Sequence, residues 1–119
     1  MPDNDTLVHD YIQMWNEPDA ERRRALVAET VTEDASYVDP LMAGDGIDGI
    51  AGMIAGAQAA YPGHRFELLA GPDAHNGRVR FSWTLVSGDG DRVAVGHDFA
   101  TLADDGRMSS ITGFLDPPA

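Results

Sequence analysis

Residues 65–115 constrain the fold most, because apolar and polar side chains alternate there in stretches separated by turn sequences. Alternation with a period of two predicts half-buried β-strands, and the Gly- and Asp-rich turns predict hairpins between them. We expect four strands, at 65–70, 78–86, 93–102 and 108–115. Consecutive strands joined by tight turns pair antiparallel, so this part of the chain should form an antiparallel meander.

The first half of the chain predicts three helices, with a short strand before the third. The first helix, which Asp3 or Asp5 can cap, has an apolar stripe at helical spacing. The stripe consists of Leu7, Tyr11, Met14 and Trp15. The second helix spans 19–30, with Arg22, Arg23 and Arg24 as its exposed flank, and the third spans 47–60. A strand at 35–38 is closed by Asp39-Pro40. The element order predicts an α+β fold in which the helices cover one face of a curved antiparallel sheet.

Composition limits the classes of function and partner. The 119 residues predict one domain, spanning 1–119. A net charge of −12 disfavours nucleic acids and anionic membranes as partners. The chain has no cysteine, and its four histidines are scattered, so we expect no metal and no cofactor. The polar N-terminus and the lack of a long apolar run predict a cytoplasmic protein.

Two ionisable residues fall on predicted strand faces that are otherwise apolar. Asp39 ends the short strand, and His97 lies between Val95 and Phe99. Burying a carboxylate or an imidazole is costly unless it is hydrogen-bonded, so both residues are candidates for the polar groups of a pocket. Alternation directs His97 inward and Asp98 outward, and a β-bulge would exchange the two. The competing interpretations are a turn-forming Asp39 and a core histidine at 97.

The order of elements and several local phrases resemble one protein superfamily. The phrases are Tyr11-Ile-Gln-Met-Trp-Asn, Asp34-Ala-Ser-Tyr-Val-Asp-Pro, Gly96-His-Asp-Phe and Gly113-Phe-Leu-Asp. They are similar to the nuclear transport factor 2-like superfamily, and to its SnoaL-like and ketosteroid isomerase-like members in particular. The resemblance implies a cone-shaped, cystatin-like roll, in which three N-terminal helices close an apolar cavity. It also implies a homodimer formed through the outer face of the sheet.

The resemblance also implies roles for individual residues. Asp39 matches the general base of the isomerases, and Tyr11 matches the tyrosine that donates to the oxyanion. The third isomerase position is a protonated aspartate, and His97 stands there in this interpretation. The expected walls of the substrate cavity are Trp15, Tyr37, Phe81, Trp83, Val95 and Phe99.

Two functions remain open from the sequence. The first is a cofactor-independent isomerase or cyclase that moves a proton on a small apolar carbonyl compound, with Asp39 as the base. The second is a non-catalytic module that binds an apolar metabolite or serves as a dimerisation platform. Epoxide hydrolases of this superfamily rely on an Arg-x-Asp pairing on a core strand, and Gly96-His97-Asp98 does not supply it.

Overall fold

The computed structural model describes residues 3–117, which form three helices and six strands. The elements are α1 (Asn4–Asn16), α2 (Ala20–Thr30), β1 (Val31–Val38), β2 (Ala43–Asp45), α3 (Gly46–Ala60), β3 (Arg65–His75), β4 (Arg78–Val86), β5 (Arg92–Leu102) and β6 (Met108–Leu115). The predicted α+β class, with three helices against a curved sheet, is confirmed.

Aspartate side chains begin the first two helices. Asp3 accepts a hydrogen bond from the Thr6 N–H at 2.7 Å, and Asp19 accepts one from the Arg22 N–H at 2.9 Å. Such caps satisfy backbone donors that have no partner within the helix. Of the two caps expected for α1, Asp3 is therefore the one used.

The six strands form one sheet in the order β2-β1-β6-β5-β4-β3. The meander from β3 to β6 is antiparallel as predicted, but β1 lies parallel to β6 and the sheet is mixed. The short β2, which is absent from the strands predicted above, pairs with the end of β1. Register shifts interrupt β3, β4 and β5, and such bulges bend a sheet.

One face of the sheet is covered by the helices. Tyr11 of α1 packs edge-on against Phe81 of β4, with ring centroids 5.2 Å apart. The predicted stripe of α1 is buried throughout. Arg23 does not join the exposed flank expected for it, since it is 6% exposed. It donates to the carbonyls of Glu17 and Pro18 and to Gln58 of α3, which ties the three helices together.

No helix within residues 3–117 is both long enough and apolar enough to cross a bilayer.

Candidate active site

A cavity of about 110 Å³ lies between the helices and the inner face of the sheet. Its walls are mostly apolar and aromatic, with two carboxylates among them. The lining residues are Tyr11, Ile12, Trp15, Tyr37, Asp39, Leu41, Met42, Ala57, Tyr61, Phe66, Trp83, Leu85, Ala94, Asp98 and Leu115.

The register of β5 against β4 decides which residues of β5 face the cavity. Trp83 pairs with Gly96, and Phe81 pairs with Asp98. Residues directly opposite each other in an antiparallel pair share a face, so Asp98 lies on the inner face. The register shifts next to Leu85, where the hairpin begins, and this is the bulge that exchanges His97 and Asp98.

The prediction that Val95, His97 and Phe99 face the cavity is therefore wrong. His97 and Phe99 lie on the outer face, and Val95 shares that face with them. The inner positions of β5 hold small residues, Ala94, Gly96 and Ala100, together with Asp98. Small residues are required there because β4 contributes bulky ones. A Cβ on Gly96 would overlap the indole ring of Trp83.

Asp98 is the buried carboxylate of the site. It is 3% exposed, and its Oδ2 accepts a hydrogen bond from the Tyr11 hydroxyl at 2.8 Å. Its Oδ1 has no hydrogen-bond partner among residues 3–117. Burial raises the pKa of Asp98 to about 6, against the lowering effect of the Tyr11 hydroxyl and the nearby Trp83 side chain. The charge of Asp39 adds to the rise.

Asp39 is the half-exposed carboxylate, and it accepts three hydrogen bonds. Its Oδ2 accepts from the Tyr37 hydroxyl at 2.6 Å. Its Oδ1 accepts from the backbone N–H groups of Leu41 and Met42 at 2.7 and 2.9 Å. The two backbone bonds are those of a turn-forming aspartate, so the structure gives Asp39 that local role as well as a place in the cavity wall.

Gly113 of β6 makes room for the two carboxylates. Asp98 Oδ1 and Asp39 Cβ lie 2.9 and 3.0 Å from the position that a Cβ on Gly113 would occupy. The Tyr37 hydroxyl oxygen lies 3.3 Å from the same position. The site therefore contains two tyrosine–aspartate pairs, Tyr11–Asp98 and Tyr37–Asp39, that meet above one glycine.

The hydroxyl groups of both tyrosines resist ionisation. Burial raises the pKa of Tyr11 and of Tyr37 well above the ordinary value, and the neighbouring negative carboxylates raise them further. Each hydroxyl is therefore a hydrogen-bond donor near neutral pH. In the described part of the chain, no three acidic or histidine side chains converge as a metal site would need.

Asn16 fixes the wall where α1 meets β3. Its side chain donates to the Phe66 carbonyl at 2.8 Å and accepts from the Phe66 N–H at 2.7 Å. Phe66 then packs against Trp15 and Trp83, with ring centroids 5.3 and 5.2 Å apart.

The SnoaL-like domain model matches residues 8–114, which is nearly the whole chain. The chain belongs to the SnoaL-like family. No curated protein matches it.

Solved structures of the same fold include one with high sequence identity. A SnoaL-like family protein from Agrobacterium tumefaciens strain C58, described as a candidate isomerase, is 49% identical to this chain. The match covers 94% of this chain and 96% of that one, with a TM-score of 0.91.

Two more distant structures show the fold alone. A candidate SnoaL-like polyketide cyclase from Jannaschia sp. CCS1 is 18% identical, with a TM-score of 0.72 over 98% of this chain and 89% of that one. A nuclear transport factor 2-like protein of unknown function from Exiguobacterium sp. 255-15 is 17% identical, with a TM-score of 0.73 over 94% and 99%.

In this SnoaL-like protein, the structure brings together part of the site expected from the sequence. Asp39, Tyr11, Trp15, Tyr37 and Trp83 all line the cavity. Phe81 is buried against Tyr11 and does not line it. His97, Val95 and Phe99 lie outside it.

Sequence reasoning offered Asp98 only as the alternative that a β-bulge would turn inward, and it missed the wall residues Phe66, Leu85 and Ala94. The signal that could have found Asp98 is the hairpin itself. When Trp83 faces inward, the residue opposite it must be small, and Gly96 fits that position. Asp98, two residues further along β5, then shares the inner face.

Proposed function

We propose that this protein transfers a proton on a small apolar carbonyl compound, at the carbon next to the carbonyl, without a cofactor. One observation supports this above the others: two carboxylates in unlike environments share one apolar cavity. Two carboxyl groups in different surroundings can have different pKa values, and they can then act as acid and base at the same pH.

In this proposal Asp39 is the general base. Its three hydrogen-bond donors stabilise a negative charge. A carboxylate has about four lone-pair sites, so one remains for a substrate proton. Its half-exposed position also gives the proton a route back to solvent. A positioned base contributes roughly 10²–10⁴-fold to a rate.

Asp98, rather than His97, takes the third isomerase-like role in this proposal. Protonated Asp98 donates from Oδ1, the oxygen without a partner, to the substrate oxygen on which negative charge develops. The Tyr11 hydroxyl gives its one proton to Asp98 Oδ2, so Tyr11 supports this donor by orienting the carboxyl group. A preorganised donor of this kind is worth roughly 10²–10³-fold.

The cavity walls support this substrate class. Its walls are apolar and aromatic, so an uncharged ring or short chain bearing one carbonyl fits better than a polar metabolite. The exposed side chains of Leu41 and Tyr61 line its mouth, where a longer substrate would project.

Deuterium exchange tests the proposal. The protein is incubated with a small cyclic ketone in deuterated water, and incorporation next to the carbonyl is followed by NMR. Wild-type protein should accelerate incorporation, and Asp39→Asn should lower the rate by about 10²-fold or more. Asp104→Asn, in an exposed turn, is the matched control. Incorporation that survives Asp39→Asn would refute the assigned base.

The second function, a binding module, is supported by the same apolar walls. It predicts that apolar ketones raise the melting temperature of both wild type and Asp39→Asn, while neither protein accelerates exchange.

We also propose that the protein forms a homodimer through the outer face of its sheet. Val93, Phe99 and Phe114 are 49%, 39% and 60% exposed there, and we call these three residues the outer patch. Exposed apolar clusters mark interaction sites. Sedimentation should show a dimer that Phe114→Glu dissociates. A monomer at all concentrations would refute it.

A further inference from the structure

Two buried polar side-chain atoms within residues 3–117 have no hydrogen-bond partner, and both belong to residues of the cavity wall. They are Asp98 Oδ1 and Trp15 Nε1. The proposed reaction uses the first atom and leaves the second unexplained. Native proteins rarely bury an N–H group without an acceptor, because its hydrogen bond to water is lost and nothing replaces it. The indole N–H of Trp15 is therefore a candidate donor to a ligand in the cavity.

Helix α1 places Trp15 beside the buried carboxyl group. Trp15 follows Tyr11 by four residues, so the two side chains lie on the same face of the helix, one turn apart. Burial and the charge of Asp98 raise the pKa of Tyr11, and the Trp15 side chain lowers it, as a donor close to the hydroxyl oxygen does. The indole N–H therefore lies on the side of the Tyr11–Asp98 pair, although it has no hydrogen-bond geometry with either residue.

The indole ring is held in a fixed orientation. It packs against Phe66 and Tyr37, with ring centroids 5.3 and 5.6 Å away. The Trp15 carbonyl accepts a hydrogen bond from Gln58 Nε2 at 2.9 Å, and the next residue, Asn16, is bonded to the backbone of Phe66. A donor that is held in place before the substrate binds stabilises developing charge without reorganisation.

We propose that the indole N–H of Trp15 donates a hydrogen bond to the substrate carbonyl oxygen, as the second donor beside protonated Asp98. This role rests on the proposed function, to which it adds the second donor. Tyr11 does not take it, because its one hydroxyl proton is given to Asp98 Oδ2. Two donors select for an oxygen that accepts two hydrogen bonds, as a ketone or enolate oxygen does. An alkene of the same shape would leave both donors unpaired and bind less well.

Proton–nitrogen NMR of the full chain tests this hydrogen bond. The sequence has two tryptophans, and Trp15→Phe assigns their two indole N–H signals. At about pH 5, where Asp98 is protonated, cyclohexanone should move the Trp15 signal downfield, because a hydrogen bond to oxygen deshields the proton. Methylenecyclohexane has the same shape and no oxygen, so it is the matched control and should cause no such shift. A Trp15 signal that does not respond to cyclohexanone, or that responds equally to both compounds, would overturn the proposal.

An isosteric substitution separates the hydrogen bond from the shape of the ring. Trp15→3-benzothienylalanine, introduced by nonsense suppression, replaces the indole N–H with sulfur and keeps the fused rings. NMR titration should show that the variant binds cyclohexanone about tenfold more weakly than wild type does, and methylenecyclohexane equally well. Melting temperatures verify folding. Equal affinity of the two proteins for cyclohexanone would overturn the proposal.

Neither test depends on catalysis, so the role of Trp15 can fail separately from the proposed function. If the Trp15 signal responds to the ketone but wild type does not accelerate deuterium exchange, the proposed reaction is refuted and the hydrogen bond is retained. If exchange requires Asp39 but the Trp15 signal does not respond, the reaction is retained and Trp15 is not one of its donors. Where both hold, Trp15→3-benzothienylalanine should also slow exchange by about 10²-fold.

Discussion

The two tyrosine–aspartate pairs of the cavity have the same kind of hydrogen bond and opposite surroundings. Tyr11–Asp98 is buried, and one carboxyl oxygen has no partner among residues 3–117. Tyr37–Asp39 lies at the edge of the cavity, where two backbone N–H groups add to the tyrosine. Burial, rather than the residue type, therefore explains why the carboxyl group of Asp98 has a raised pKa.

The largest expected effect is on stability. The native pKa of Asp98 is about 6, against 3.8 for the ordinary carboxyl group. Between these values the native state holds a proton that the unfolded state has lost, so stability falls as the pH rises from about 4 to 6. Above about pH 6 no further stability is lost, and the total loss in unfolding free energy is about 3 kcal/mol.

Asp98→Asn removes this titration. The difference in unfolding free energy between Asp98→Asn and wild type should shift in favour of the variant by about 3 kcal/mol from pH 4 to pH 7. Urea denaturation across that range measures it. If the difference in unfolding free energy does not change with pH, the pKa of Asp98 is not raised in the native state.

The second effect is on the rate of ketone exchange. If Asp98 donates its proton in the reaction, the rate should fall about tenfold per pH unit above its pKa of about 6. Asp98→Asn keeps an N–H donor but does not titrate, so its rate should be lower and flat in this range. A wild-type rate that rises above pH 6 would assign Asp98 the opposite role, that of a base.

The fold could be predicted because its signals are local. Alternation identified the four strands of the meander, and helical spacing identified the stripe of α1. The parallel pairing of β1 with β6 could not be predicted in the same way, since it joins segments separated by most of the chain. The three-residue β2 carries no periodicity, and its pairing comes from the turn at Asp39.

The site could be predicted only in part, because the apolar pattern of β5 misleads. Its outward positions, Val93, Val95 and Phe99, are more apolar than its inward ones, Ala94 and Gly96. A prediction from hydrophobicity alone therefore places His97 in the cavity, where the structure does not have it. The register set at the hairpin overrides it, and register depends on the packing of Trp83 on Gly96.

A smaller effect is expected where the two pairs meet. Gly113→Ala would place a methyl group 2.9 Å from Asp98 Oδ1 and 3.0 Å from Asp39 Cβ. Overpacking of this kind costs about 1–3 kcal/mol. Gly52→Ala is the control, since a Cβ there meets nothing within 4 Å and the residue lies in α3. That control should be neutral or stabilising. Equal stability of the two variants would show that the carboxylates do not crowd Gly113.

The smallest effect separates the two tyrosines. Tyr11→Phe removes the hydrogen bond from the Tyr11 hydroxyl to Asp98 Oδ2, whereas Tyr37→Phe leaves Asp39 with its two backbone donors. The Tyr11 hydroxyl lowers the pKa of Asp98, so its removal should raise that pKa and move the fall in exchange rate to higher pH. Tyr11→Phe should also cost about 1 kcal/mol more than Tyr37→Phe near pH 7, because a buried charge loses its partner. Carboxyl ¹³C NMR titration and urea denaturation measure the two quantities. The same pKa of Asp98 in both variants would mean that the Tyr11 bond does not set its protonation.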